Sequence, residues 1–168
     1  FIDTLKIAVE FGNQKAAYVF GFIYSIGFHV EENYVMALVY LKYAADKNFP
    51  SAMLMYADRL RNIVNGKISK KELKDLTKKS KDILNDISGY NTRSNNLRIT
   101  ATNLFDTIKE PKLADYVSRE YYKKVINYDK CTEKQKKIAQ KKLDKLEDEA
   151  YLGDYSKEDY EKLFQTIR

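Results

Sequence analysis

Gly12-Asn13-Gln14-Lys15-Ala16-Ala17-Tyr18-Val19-Phe20-Gly21-Phe22-Ile23-Tyr24 is echoed by Asn48-Phe49-Pro50-Ser51-Ala52-Met53-Leu54-Met55-Tyr56-Ala57-Asp58-Arg59-Leu60. In this register Ala16 falls on Ala52, Phe20 on Tyr56, Gly21 on Ala57 and Tyr24 on Leu60, each 36 positions apart. The preceding helix keeps the same step, with Ala8 on Ala44 and Gly12 on Asn48. A fixed period in this range marks an array of helical repeats. In such an array each helix pair buries its apolar face against neighbouring pairs. The expected fold is therefore all-α, an open right-handed superhelix of antiparallel α/α pairs.

Working outward, segment 1–11 places Ile2, Leu5, Ala8 and Val9 on one face and is broken at Gly12-Asn13. The next helix, 14–26, carries Ala16, Phe20, Ile23, Tyr24 and Gly27 on one stripe, and Ala16, Ala17 and Gly21 allow a partner helix to come close. The short link Gly27-Phe28-His29-Val30 makes the following helix an antiparallel neighbour. Asn33 caps that helix, which runs to about Lys47, and Pro50 suits the first turn of the one after. Ser69 and Glu72 have capping-box spacing ahead of the amphipathic run Leu73, Leu76, Ser80, Ile83, Leu84 and Ile87. Tyr90 to Asn96 reads as a polar loop that interrupts the period. Four more helices are expected beyond it. They hold Leu97 to Ile108, Leu113 to Val125, Ala139 to Ala150 behind a Thr132/Gln135 capping box, and Tyr160 to Ile167 behind Ser156. Residues 1–168 thus form one helical-repeat domain, clearest over 8–66 and divergent over 67–168. Phe1 lies inside a helical pattern, so the sequence is expected to be a piece of a longer solenoid.

Composition agrees with helices. Six Gly and two Pro leave little turn material, while 14 Tyr and eight Phe supply core bulk in the absence of Trp. One Cys excludes an internal disulfide framework. The longest apolar run, Ala16 to Tyr24, is far short of the roughly 20 residues that cross a bilayer. Lys and Arg total 30 against 24 acidic residues, a net charge of +6.

The same residues resemble the Sel-one-like repeat family, a short relative of the tetratricopeptide repeat. Its pattern is matched by Gly12, Ala16, Phe20-Gly21, Tyr24, Gly27 and Val30, then by Ala37, Tyr40 and Ala44-Ala45. Asn48 takes the place of a closing Gly, and His29 replaces a Gly of the link. The match covers residues 8–60. The resemblance implies an α/α solenoid that binds proteins and does no chemistry. The strings Gly21-Phe22-Ile23-Tyr24-Ser25 and Ala37-Leu38-Val39-Tyr40 are also similar to those of luminal adaptors of the membrane ubiquitin ligases in ER-associated degradation. That likeness implies a substrate-recruiting role in the ER lumen. The alternatives are a cytoplasmic or bacterial repeat adaptor (a membrane-synthase activator or a host-interaction factor) and, more weakly, a basic nucleic-acid-binding solenoid. No Asn-x-Ser/Thr sequon occurs, which weighs against the lumen.

No catalytic, cofactor or metal constellation is expected. His29 is the sole histidine and Cys131 the sole thiol, too few and too far apart in a repeat array for a zinc site. No phosphate loop, nucleophile elbow or HExxH motif is present. The candidate site is a partner-binding strip on the concave side. Tyr18 and Phe22 lie off the core stripe, their counterparts are Leu54 and Asp58, and Arg61 follows one turn on. Apolar and polar anchors in one line suit an extended or helical protein segment. Tyr18 and Phe22 packing instead against helix 1–11 is the competing expectation. Two lysine-rich stretches, 67–81 and 123–145, could meet an acidic partner, RNA or an anionic membrane. In the second, Lys134, Lys137, Lys141 and Lys145 share one helix face. Interspersed acids and scarce arginine favour a solvated surface, and make nucleic acid the lesser partner.

Overall fold

The computed structural model describes residues 1–87 and 92–147, with Glu158 and Lys162. Among the described residues the chain is all helical: α1 (Ile2–Glu10), α2 (Gln14–Ile26), α3 (Tyr34–Asp46), α4 (Pro50–Val64), α5 (Lys70–Ile87), α6 (Thr92–Lys109), α7 (Pro111–Asn127) and α8 (Glu133–Glu147). The segment expected to form a loop, Tyr90 to Asn96, differs: Thr92 to Asn96 are the first turns of α6. Thr, Arg, Ser and Asn carry no periodic apolar signal, so the helix start is silent in sequence. The helix expected behind Ser156 lies outside the described residues. No helix among them is long and apolar enough to cross a membrane.

The ends are fixed by side chains and backbone freedom. Asn13 Oδ1 accepts from Ala16 N at 2.9 Å, and Asn33 Oδ1 from Met36 N at 3.0 Å. Each satisfies an amide that the helix itself leaves unpaired. Thr132 and Gln135 form a reciprocal capping box, with 3.1 and 2.9 Å bonds, while Ser69 Oγ accepts from Glu72 N at 3.1 Å. Asn48 is left-handed at φ 64°, and His29 in the link between α2 and α3 is left-handed at φ 57°. Both hold a conformation that glycine adopts most easily.

α2 and α3 meet through Gly21, whose missing side chain lets Leu41 lie against the helix backbone. Phe20 stacks on Tyr40 at 4.7 Å, and Tyr24 on the same ring at 5.8 Å. α4 then packs on α3. Its antiparallel partner on the other side is α7, not α5: Tyr56 meets Tyr121 edge-on at 4.8 Å. α8 closes on α7 and α4. The contact that Phe20 makes with Tyr40 is thus remade, one period later, by Tyr56 with a residue of α7. Helices α5 and α6 stand between α4 and α7 in the chain and lie over α3. Asn33 Nδ2 donates to Ser80 Oγ at 3.2 Å to hold α5 there.

This arrangement explains α3. It is touched by α2, α4, α5 and α6, and Val35 to Leu41 are buried without a break. A helix apolar all round is one enclosed all round. Among the described residues, most of the large apolar side chains left exposed gather on α1, α2 and their flanks, Phe1, Ile7, Phe11, Phe22, Ile26 and Phe28, while Ile99 stands apart on α6.

Candidate functional site

The structure divides the expected strip. Tyr18, on α2, is half-buried, with its ring 4.9 Å edge-on from Phe22 and 5.2 Å from Phe49 at the head of α4. Burial pushes its hydroxyl pKa up, partly offset by the Arg59 guanidinium. Phe22 remains 38% exposed. Leu54 is half-buried. These three keep an apolar face toward solvent.

The polar end turns inward. Asp58 accepts from Tyr122 Oη at 2.5 Å and from Lys142 Nζ at 2.7 Å, tying α4 to α7 and α8. Tyr122 titrates well above the ordinary range because it is buried and faces that carboxylate. Arg61 is 9% exposed and ion-pairs with Asp115. Its Nη1 also donates to Ser118 Oγ at 3.2 Å. Arg61 was expected on the strip because it follows Asp58 by one turn. It is instead covered by α7, whose place against α4 the local sequence does not announce. Arg59, half-buried, also stands on this side, with its guanidinium 5.8 Å from the Tyr34 ring. Arg59 was not among the expected strip residues, since two positions from Arg61 it falls on nearly the opposite side of the helix. Together Met55, Asp58, Arg59, Arg61, Asn62, Tyr122 and Lys142 line an open cleft of about 460 Å³.

Asp115 is the centre of a buried charge cluster. It is 1% exposed and faces Arg61 and Arg119, the latter through a 3.1 Å bond from Nε. Arg119 Nη1 donates to the Leu146 carbonyl at 2.7 Å, which anchors the end of α8. Two guanidiniums around one carboxylate join α4, α7 and α8. The arrangement locks the packing of these three helices.

Lys134, Lys137, Lys141 and Lys145 all lie exposed on α8, as their spacing implies. Among the described residues no group of three or more His, Cys, Asp or Glu could hold a metal ion. His29 is exposed beside Phe28. Cys131 is 4% exposed, and burial raises its thiol pKa against the lowering effect of Lys136. Less thiolate and less access both slow nucleophilic reaction. Cys131 in native protein should therefore react with a disulfide reagent such as DTNB far more slowly than in urea-unfolded protein; equal rates would contradict the burial.

Comparison with protein-family models, with curated proteins and with solved structures gave no match. The function accordingly rests on the chain's own residues.

Proposed function

We propose that this chain is a protein-interaction scaffold of the Sel-one-like repeat kind, an open α/α stack without chemistry of its own. The observation that supports it is the repeated contact: α2 with α3 through Phe20 and Tyr40, then α4 with α7 through Tyr56 and Tyr121. Helix pairs joined in this way leave their first helices side by side, with a surface that runs from pair to pair. Tyr18, Phe22 and Leu54 give that surface its apolar anchors, and Arg59 with the adjoining cleft gives it a polar end. Aromatic side chains and arginine are the usual energetic centres of interfaces, and losing one costs about 2 kcal/mol or more of binding. The partner is an extended or helical protein segment.

The test compares proteins retained from native extract by the wild type, by a Tyr18→Ala, Phe22→Ala variant and by a Lys137→Glu, Lys141→Glu variant. Loss of specific partners with the first, at an unchanged helical circular-dichroism spectrum, is the expected result. Loss with the lysine variant alone would move the interface to α8.

A further inference from the structure

Helices α5 and α6 barely touch, and the space between them is a groove. Its deeper part, about 680 Å³, is floored by Leu73, Thr77 and Ile108. Its rim is built by Lys70, Lys71, Lys74, Lys78, Lys81 and Lys109. Among the described residues no acidic side chain lines this part. A shallower continuation of about 260 Å³ shares Lys81 and Lys109, adds Leu84, Ala101 and Phe105 to the floor, and brings Arg98 and one carboxylate, Asp106, 3.9 Å from Lys109 Nζ, to the edge. Lys81 Nζ sits 5.7 Å from the Phe105 ring at the junction. The five rim lysines of α5 are exposed. Their spacing along the helix follows from the repeat of 3.6 residues per turn, which returns 70, 74, 78 and 81 to one side.

From this we infer that the α5–α6 groove is a docking site for an acidic amphipathic helix of a partner protein. Six ammonium groups around an apolar floor demand an occupant with carboxylates at its edges and aliphatic side chains beneath. The groove follows α5 from Lys70 to Leu84, so it accommodates roughly four helical turns. Single-stranded RNA fits less well, since it needs exposed aromatic platforms and favours arginine. The aromatic ring here, Phe105, is 6% exposed. An anionic membrane fits less well too, because it takes protruding apolar residues, whereas Leu73, Leu84 and Ile108 lie at the bottom of a concavity. This site is separate from the strip on α2 and α4, so either can fail without the other.

The probe is a fluorescein-labelled helical peptide of about four turns, with leucine at every third or fourth position and glutamate on the opposite face. Fluorescence anisotropy should report saturable binding to the full chain, weakening as ionic strength rises from about 0.05 to about 0.3 M. A Lys70→Glu, Lys74→Glu, Lys78→Glu variant should bind about tenfold more weakly or worse. A Lys134→Glu, Lys137→Glu, Lys141→Glu variant changes the net charge equally on α8 and should bind nearly as the wild type does. Circular dichroism monitors folding of both, and all six lysines are exposed. A peptide with serine in place of its leucines should lose most of its affinity. Three results would overturn the inference: equal weakening by both lysine variants, undiminished binding of the serine peptide, or tighter binding of phosphatidylserine vesicles or poly(U) RNA than of the peptide.

Discussion

Asp115→Ala should destabilise the fold by about 3–5 kcal/mol, because it leaves two guanidiniums buried without their counter-charge. That is a large fraction of the roughly 5–15 kcal/mol that holds a typical domain together. Asp115 is 1% exposed and Arg119 is 2% exposed, so water cannot take over the lost carboxylate without opening the α4–α7–α8 junction. Asp115→Asn keeps an acceptor and the side-chain volume and should fall between wild type and alanine. Asp106→Ala, which removes an exposed partner of Lys109, should change stability by less than about 1 kcal/mol. Guanidinium unfolding followed by circular dichroism measures all three. If Asp115→Ala unfolds within about 1 kcal/mol of wild type, the cluster is more hydrated than its burial implies.

Gly21→Leu carries the second large effect. A Cβ built on Gly21 would stand 2.6 Å from Leu41 Cδ2 and 2.7 Å from its Cγ, and Leu41 is fully buried. The first added carbon already forces a shift, and three more must displace α2 from α3. Overpacking of this kind costs about 1–3 kcal/mol, with more where backbone has to move. Gly66 separates packing from backbone freedom. An added Cβ there meets nothing within 4 Å, and the cost of Gly66→Ala is confined to its φ of 72°. Gly66→Ala should therefore be milder than Gly21→Leu in a denaturant midpoint. An unchanged midpoint for Gly21→Leu would mean that α2 and α3 do not meet where Gly21 stands.

What could be read from the chain alone was local. Asn13 and Asn33 advertise helix starts through a short side chain that bonds to the backbone nearby, and no distant residue is needed. Gly21 was legible because the period set it beside Ala57, two small residues at one register. Tyr18 and Phe22 keep their place off the core stripe. The burial of Arg61 was not legible, because exposure depends on which helix covers α4, and that helix is α7, beyond two intervening ones. The Asp115–Arg119 pair was invisible for a related reason. At a separation of four residues it reads like any surface ion pair, and only the neighbours decide that it is inside. The run Val35 to Leu41 did carry a signal of enclosure on every side, since apolar residues occupy consecutive positions rather than one stripe.

The detour of the chain through α5 and α6 also sets a sequence of events in time. α3 contacts α2 on one side and α4 on the other across short links, so their assembly requires only small loops to close. The α4–α7 contact has to wait until the whole segment 65–110 brings its ends together. Closing a longer loop costs more chain entropy, though only logarithmically, and non-local contacts slow folding. In a protein that folds from such a local start, the late-joining helices are also the first to leave. Amide protons of α7 and α8 should then exchange with solvent at lower free energy than those of α3. The junction held by Asp115 becomes a latch, engaged last and released first, and α2, α3 and α4 form the part of the molecule that persists while it is open.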